Sequence, residues 1–335
     1  MMQATMRDVA RLAGVSSKTV SNVINDRPYV SAETRERVEH AIAQLGYKLN
    51  LAARNLRSGR SGVIGLAVPS LTVVYFAELA EAAIAAAEEH GLVVQIERTG
   101  SLERERALLS SPRLQHIDGL ILNPMDHSVE ELATVALSVP TIVLGDHPVG
   151  GASVHISTDQ RAAAALATEQ LVLTGRRRIA AIGARSGDRF GSAGQRFEGY
   201  ASVLARAGLP LDPELVVEAD PWTQLDGAAA MRELLARGAE FDAVFAFNDS
   251  LALGAMRALG DAGRRVPQDV AVIGIDNIAE SEYSLPSLTT VDLGNRRIAE
   301  TAVRMLAEQL ASEEPPAPQR LQMDFSIVLR ESTGR

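Results

Sequence analysis

Short apolar runs alternate with amphipathic stretches along this 335-residue chain from about residue 61 onward. The apolar runs predict strands at 63–68, 93–97, 119–122, 141–144, 179–182, 244–247 and 270–275. Apolar residues at helical spacing predict helices at 77–90, 129–136, 162–173, 195–207, 226–237, 251–262 and 297–310. This alternation is typical of parallel sheets that carry helices on both faces.

The beginning of the chain has a purely helical pattern instead. Residues 5–25 predict two short helices joined by a tight turn at Gly14, where a helix C-terminus favours positive φ. Thr5 followed by Asp8 resembles a capping box, and Ser16 is placed to cap the second helix. The second helix turns three apolar residues inward: Val20, Val23 and Ile24.

The opposite face of the second helix is small and polar. It carries Ser17, Lys18, Ser21 and Asn22. Lysine can donate hydrogen bonds to guanine O6 and N7, and asparagine can pair with adenine N6 and N7. The two helices therefore predict a DNA-binding unit that places its second helix in the major groove. On these residues alone, the alternative is an ordinary surface hairpin of helices with a solvated face.

A third helix and a basic segment follow. Ser31 is placed to cap a helix that runs to about Leu45 and ends at Gly46. Residues 47–60 form a basic, weakly helical segment, and so short a helix is marginal in water unless something holds it. Residues 1–60 contain ten Lys and Arg against five Asp and Glu, which leaves a net charge of −14 for the remainder of a chain whose total is −9. A basic head on an acidic body confines phosphate attraction to the head.

Composition excludes several kinds of site. The chain has no cysteine, and its six histidines lack the spacing of metal ligands, so we expect neither a metal nor a cofactor. No apolar run is long enough to span a bilayer, and the N-terminus lacks the apolar segment of a signal peptide. A cytoplasmic location is therefore expected, on the nucleoid when the protein is bound to DNA.

Three segments resemble the lactose-repressor (LacI/GalR) family of bacterial transcription regulators in their order and spacing. They read DVARLAGVSSKTVSNVIN, VSAETRERVEHAIAQLGY and AARNLRSGRSGVIGL. The resemblance implies an N-terminal all-α helix-turn-helix headpiece at 1–48, a hinge helix or linker at 49–60, and an effector-binding and dimerisation core at 61–335. The implied core is α/β, with two lobes of the periplasmic-binding-protein fold: lobe 1 at about 62–160 plus 292–322, and lobe 2 at 161–291 plus 323–330.

The resemblance also implies roles for individual headpiece and hinge residues. Base edges would be contacted by Ser17, Lys18, Ser21 and Asn22. Phosphates would be contacted by Ser16, Thr19, Ser31, Thr34, Tyr47 and Asn50. In the minor groove, Leu56 would wedge between base pairs beside Ala53 and Arg57, trading unstacking for a kinked duplex that wraps more protein. The family usually has proline before the hinge asparagine, and this chain has Leu49, so its hinge lacks that preset φ.

Polar and aromatic residues follow several of the predicted strands, where ligands of such folds bind. By resemblance, the effector pocket takes its polar core from Arg196, Asn248 and Asp276, and its walls from Tyr75, Phe76 and Trp222. Asp146 is expected there too, although one extra residue precedes it. Acids and amides bond to hydroxyl groups, arginine spans two of them, and aromatic faces pack on sugar rings, so this set suits a polyol.

The implied function is a ligand-responsive, sequence-specific repressor of sugar-uptake or catabolic genes, and not an enzyme. The chain lacks the motifs of a P-loop, a zinc protease and a serine hydrolase, and residues 183–194 do not fit a dinucleotide-binding fingerprint. The alternatives are a regulator that responds to a purine or a phosphosugar, a sugar-binding receptor without a regulatory role, and an enzyme on a doubly wound sheet.

The implied mechanism couples the core to the headpiece. A homodimer joined through the lobes would present two headpieces to a pseudo-palindromic operator. An effector between the lobes would favour one of their arrangements, and the hinge helix at 50–58 would fold or melt in response, with a coupling of about 1–3 kcal/mol. The sequence leaves open whether the effector releases the protein from DNA or recruits it. No leucine heptads occur before Arg335, which favours a dimer over a tetramer.

Overall fold

The computed structural model describes residues 4–24, 27–47, 60–124, 138–145, 154–188, 191–312 and 317–334. It divides into two compact units, Met1–Ser61 and Gly62–Arg335. The predicted hinge contacts Asn50, Ala53, Leu56 and Arg57 lie outside the described residues, as does the predicted effector residue Asp146.

The first unit contains the three predicted helices. They are α1 (Met6–Ala13), α2 (Ser17–Ile24) and α3 (Ala32–Leu45). Thr5 and Asp8 form the predicted capping box, and Gly14 ends α1 with φ of 65°. The three helices bury a small shared core that consists of Val9, Ala10, Ala13, Val20, Val23, Val38 and Ala41. Short helices are marginal alone, so this core is what holds α2 in place.

The second unit contains two six-stranded sheets. Its strands are β1 (Val63–Val68), β2 (Val93–Arg98), β3 (Gly119–Leu122), β4 (Thr141–Leu144), β5 (Val154–Thr158), β6 (Ile179–Ala184), β7 (Val216–Glu218), β8 (Ala243–Ala246), β9 (Ala271–Ile275), β10 (Thr289–Asp292), β11 (Gln319–Met323) and β12 (Ser326–Val328). The first sheet has the order β11-β5-β4-β3-β1-β2 and the second β12-β10-β9-β8-β6-β7. Every described pairing is parallel except β10 with β12.

Helices cover the sheets of the second unit. They are α4 (Val74–Glu89), α5 (Leu102–Leu109), α6 (Gln160–Leu173), α7 (Ser192–Arg206), α8 (Gln224–Ala236), α9 (Asp249–Asp261), α10 (Ala279–Tyr283) and α11 (Asn295–Ala311). Short 3-10 turns lie at Pro112–His116, Pro213–Leu215 and Glu331–Thr333. The predicted fold class, a helical headpiece followed by an α/β core with mainly parallel sheets, is confirmed.

Each of the seven predicted strands overlaps an observed strand, and six of the seven predicted helices overlap a helix. The predicted helix at 129–136 lies outside the described residues. The pattern missed strands β5, β7, β10, β11 and β12 and helices α5 and α10. These elements are short or carry polar residues, as in the VHIST of β5 and the QRLQM of β11, so they lack the apolar run that marks a central strand.

The chain passes between the two sheets more than once. It leaves the first sheet after β5, builds the second from β6 to β10, returns to the first for β11 and ends in the second with β12. In the second sheet, β6, β8 and β9 are neighbours in parallel, with Ile182 beside Ala246 and Phe245 beside Ile273. The carboxyl ends of three adjacent strands therefore meet at one edge of this sheet.

Two glycines set the close packing of α8 on α9 beside that edge. A Cβ on Gly254 would lie 2.0 Å from the carbonyl oxygen of Gln224, and one on Gly227 would lie 2.2 Å from that of Leu251. Only glycine allows the two backbones to approach so closely. This packing fixes the start of α9 next to the loop that precedes α8.

Candidate functional site

The outer face of α2 carries the residues predicted to read DNA. Ser17 and Lys18 are exposed, and Ser21 and Asn22 are half-buried. The hydroxyl of Tyr29, which the sequence reasoning did not select, lies 3.5 Å from Asn22 Oδ1. Tyr29 is itself 72% exposed, so an aromatic hydroxyl stands beside the reading face.

The residues predicted to contact phosphate lie mainly at helix starts. Ser16 Oγ accepts a hydrogen bond of 3.0 Å from Thr19 N, and Ser31 Oγ accepts one of 3.3 Å from Thr34 N. These caps place hydroxyl groups and free backbone N–H groups at the N-termini of α2 and α3, which is where helices bind phosphate. Tyr47 is half-buried and packs against the helical core.

In the second unit, Arg196 connects the predicted effector residues. It lies in α7 and is 4% exposed. Its Nε donates to Gln160 Oε1 at 2.8 Å, its Nη1 donates to the carbonyl oxygen of Phe247, and its Nη2 lies 3.6 Å from Asp276 Oδ1. A buried guanidinium with this many partners has a fixed orientation.

Trp222 lies against the same guanidinium. The Cζ of Arg196 is 5.2 Å from the indole centroid, and the Cζ of Arg185 is 5.1 Å from it. The indole Nε1 donates to the carbonyl oxygen of Gly183 at 3.0 Å, and the ring meets Phe247 edge-on. The ring thus holds two cations by cation–π attraction, a role that the sequence reasoning did not foresee.

Asn248 has two functions at the end of β8. Its Oδ1 accepts a hydrogen bond of 2.8 Å from Leu251 N and caps α9, while its Nδ2 donates to the carbonyl oxygen of Trp222 at 3.1 Å. The cap is the ordinary structural role of such a residue. The second bond ties the loop that carries Trp222 to the carboxyl end of the strand.

Asp276 directly follows β9 and is 5% exposed. Its φ is 117° and that of Asn277 is 54°, values that residues other than glycine rarely adopt. Burial raises the pKa of the Asp276 carboxyl to about 7, and the charge of Glu78 adds to the rise, while Arg196 opposes it. Near neutral pH this carboxyl can thus exchange its proton when a ligand binds.

Glu78 links the two sheets of the unit. It lies in α4, which packs on the first sheet, and its Oε1 accepts a hydrogen bond of 2.8 Å from Ala279 N at the start of α10, after β9 of the second sheet. Burial raises the pKa of the Glu78 carboxyl, and the hydrogen bond from Ala279 opposes that rise. Any change in the relative position of the sheets here must stretch or break this bond.

Tyr75 and Phe76 lie at the start of α4, after the carboxyl end of β1. Their rings meet edge-on with centroids 5.0 Å apart, and both are half-buried against the core of the first sheet. The structure therefore gathers Arg196, Trp222, Asn248 and Asp276 at the edge of the second sheet, and places Tyr75 and Phe76 on the first.

A cavity of about 960 Å³ opens between α4 and α11. Among the described residues that line it, Asp276 is the only predicted effector residue, and Glu78 lies beside it. Glutamates of α4 and arginines of α11 form its walls. The cluster around Arg196 is thus separate from the main volume of this cavity.

Four polar residues that interact with this cluster lie beyond the predicted set: Gln160, Arg185, Glu78 and Asp249. Gln160 and Arg185 hold Arg196 and Trp222 directly. Asp249 stands next to Asn248 in the sequence and is fully buried. No motif marks these four residues in the sequence. Only their position could have indicated them, since each is a polar residue near a strand end or near a predicted site residue.

Within the described residues, no group of three or more His, Cys, Asp or Glu side chains could hold a metal ion. In the same part of the chain, no helix combines the length and apolar character that crossing a membrane requires.

Family models match two parts of the chain. The model described as bacterial regulatory proteins, lacI family, matches residues 5–50. The model of a periplasmic binding protein-like domain matches residues 168–333. The chain is also 37% identical over 345 residues to the HTH-type transcriptional regulator CelR of Thermobifida fusca, covering 98% of each chain.

Solved structures agree with these matches. The lac repressor dimer bound to operator and the anti-inducer ONPF is 30% identical, with a TM-score of 0.82 over the whole of both chains. A complex of the regulator CelR with cellobiose is 32% identical, with a TM-score of 0.70, and the match covers 98% of this chain and all of that one.

Proposed function

Because the chain belongs to the LacI family of bacterial transcriptional regulators, we propose that it is a sugar-responsive repressor of sugar-uptake or catabolic genes. The observation that carries this proposal is the cluster of Arg196, Trp222, Asn248 and Asp276 at the carboxyl ends of adjacent strands. A regulatory function explains both this cluster and the headpiece, whereas an enzymatic function would leave the headpiece unexplained. As a DNA-binding regulator it would act in the cytoplasm.

The charge of the cluster favours a neutral effector. Three carboxyls interact there, those of Asp276, Glu78 and Asp249, and Arg196 is the only buried arginine among the described residues. A phosphate would add negative charge beside three acids. A neutral sugar instead offers hydroxyl groups that donate to carboxylates and accept from a guanidinium. The cellobiose complex of CelR supports this choice.

The only tryptophan in the chain gives a direct assay for the effector. Because Trp222 contacts Arg196, a ligand that bonds to Arg196 or Asp276 should change its fluorescence. We would titrate glucose, galactose, lactose, cellobiose, glucose 6-phosphate and guanine into the protein. Saturable changes with neutral sugars only would support the proposal, whereas a response only to the phosphosugar or the purine would replace it with that effector class.

Ionisation of Asp276 gives the effector affinity a pH dependence. A pKa of about 7 leaves most of these carboxyls ionised at pH 8 and roughly one in ten ionised at pH 6. Hydroxyl groups donate to the ionised form, so the sugar affinity should fall about tenfold from pH 8 to pH 6. Fluorescence titrations across this range check it, and an affinity that is flat or rises toward pH 6 would contradict it.

On the DNA side, we propose that α2 reads the major groove through Ser17, Lys18, Ser21 and Asn22, with Ser16, Thr19, Ser31, Thr34 and Tyr47 on the phosphates. A symmetric dimer, as in the lac repressor complex, would place two such helices on the half-sites of one operator. We further propose that Asn50 also contacts phosphate, that Ala53, Leu56 and Arg57 act in the minor groove, and that Asp146 completes the effector pocket.

Replacing Lys18 with alanine should reduce discrimination among operator variants. Lys18 is exposed on the reading face, and a good base contact contributes about 1–3 kcal/mol of discrimination. Binding to a set of single-base operator variants, measured at one salt concentration, gives the readout. Arg7→Ala, which removes an exposed cation from α1, serves as the control. If both variants weakened all sequences equally, Lys18 would be a phosphate contact.

A further inference from the structure

Asp249 is a buried carboxyl that the proposed effector contacts do not use. It is the first residue of α9, and none of its surface is exposed. Its Oδ1 accepts a hydrogen bond of 2.6 Å from Thr290 Oγ1, and its Oδ2 accepts from Ser281 Oγ at 2.7 Å and from Ile278 N at 3.1 Å. A carboxyl with no contact to solvent is retained only where such partners compensate for its burial.

The three donors all connect to the segment that carries Asp276. Ile278 and Ser281 belong to the turn and helix that follow Asp276 directly. Thr290 lies on β10, and its Oγ1 also accepts a hydrogen bond of 3.3 Å from Asn277 N. Asp249 therefore fixes residues 277–281. It bonds directly to Ile278 and Ser281, and it reaches Asn277 through Thr290.

The segment needs such support because of its backbone. Asp276 and Asn277 have positive φ, and these are the only such residues besides glycine among those described. Strained conformations persist only where the surroundings fix them. A second clamp acts on the other side, where Arg330 Nη2 donates to Asn277 Oδ1 at 2.8 Å.

Space for the carboxyl comes from a neighbouring strand. Gly274 in β9 lies so close that a Cβ there would stand 2.1 Å from Asp249 Oδ1. Any larger residue at position 274 would displace the Asp249 carboxylate from its position beside residues 277–281. The close contact between β9 and the Asp249 carboxylate therefore requires glycine at position 274.

We propose that Asp249 is the positioning residue of the effector site: it sets the direction of the Asp276 carboxylate by fixing residues 276–281, without touching the effector. The proposal rests on the assignment of Asp276 to the effector site. It distinguishes two adjacent residues, since Asn248 caps α9 and contacts the Trp222 loop, whereas Asp249 acts on the turn after β9.

The test removes donors one at a time, because Asp249→Ala would leave three buried donors unpaired and endanger folding. Ser281→Ala deletes one bond to Asp249 alone, whereas Thr290→Val deletes the other side-chain bond to Asp249 together with the bond from Asn277 N. Thr290→Ser keeps the hydroxyl. Thr168→Val is the matched control, since the buried Thr168 hydroxyl in the same lobe bonds only to the carbonyl oxygen of Ala164 in its own helix.

The first readout is amide hydrogen exchange of the ligand-free full-length protein. Thr290→Val and Ser281→Ala should speed exchange in residues 276–281 and leave other segments unchanged, while Thr290→Ser and Thr168→Val should not affect this segment. Unchanged exchange in both test variants would overturn the proposal, whatever the effector proves to be.

The second readout is the affinity of the neutral sugar that binds best, measured by Trp222 fluorescence. We expect a loss of about tenfold in Thr290→Val, recovery in Thr290→Ser, and a melting temperature no lower than that of Thr168→Val. An affinity that falls only as far as in the control would overturn the positioning role. If no sugar binds the unmodified protein, the proposed function fails, and the exchange result still decides the role of Asp249 in the turn.

Discussion

Asp276→Asn should remove the response at ordinary sugar concentrations and leave operator binding by the ligand-free protein intact. Asparagine has the same size and tolerates positive φ, so the turn after β9 should keep its backbone. What is lost is the acceptor for ligand hydroxyl groups and the charge beside Arg196, 3.6 Å away. A hydrogen bond to a charged group contributes about 1.5–3 kcal/mol, so the sugar affinity should fall roughly 10- to 150-fold.

Two titrations measure this effect, one of sugar by Trp222 fluorescence and one of operator DNA in the absence of sugar. Asp261→Asn is the matched control, because Asp261 ends α9, which packs on the same sheet, and pairs with arginines at the surface. The control should retain the sugar affinity. A variant Asp276→Asn that still responds at ordinary sugar concentrations would exclude Asp276 from the effector site.

Arg196→Met should strongly destabilise the second unit, far more than the surface substitution Arg206→Met. It removes the partner of Asp276 and leaves Gln160 Oε1 and the carbonyl oxygen of Phe247 without their donor. Removing one member of a buried ion pair costs about 3–5 kcal/mol. Arg206→Met, on the same helix, should cost under about 1 kcal/mol, because its pair with Glu169 lies at the surface.

The stability lost in Arg196→Met should depend on pH, and the ionisation of Asp276 sets the direction of that dependence. Its pKa is already raised above the unfolded value of 3.8, to about 7, and removing Arg196 raises it further. The folded state then holds a proton that the unfolded chain releases, so the variant loses stability as the pH rises from about 4 through 7 and above. Urea unfolding at pH 6 and pH 8 should show the larger deficit at pH 8, and a larger deficit at pH 6 would contradict the pairing.

A double variant measures the contribution of the Arg196–Asp276 pair to the free energy of unfolding. In the double variant Arg196→Met/Asp276→Asn, no unpaired charge remains, so the destabilisation should be smaller than the sum of the two single losses. Strict additivity would mean that the 3.6 Å approach contributes nothing to folding.

The sequence predicted those parts of the fold that depend on local pattern. Apolar runs such as 119–122 and 141–144 became central strands, and the cap at Thr5 with Gly14 defined α1 to the residue. The edge strand β11 was missed because polar residues dominate it, and β7 and β12 were missed because a three-residue strand has no usable period.

The sequence analysis named Arg196, Trp222, Asn248 and Asp276, which the structure brings together at one sheet edge, but it predicted none of the contacts between them. Asn248 and Asp276 follow strands, so their position is readable from the chain. The partner of Arg196 at Gln160 is 36 residues away, and Glu78 reaches Ala279 across 201 residues. Such contacts depend on how the sheets lie together, which local pattern does not encode. The same holds for Trp222, whose guanidinium partners come from two separate segments.

We propose that one ligand site and one DNA site in this chain are energetically coupled. The most direct test measures the best-binding neutral sugar by Trp222 fluorescence, with and without an operator selected from random duplexes, and then measures operator affinity with and without that sugar. Coupling requires that both affinities change by the same factor, typically 5- to 150-fold. Equal factors in that range are expected; a sugar that binds equally well to free and operator-bound protein would contradict the coupling.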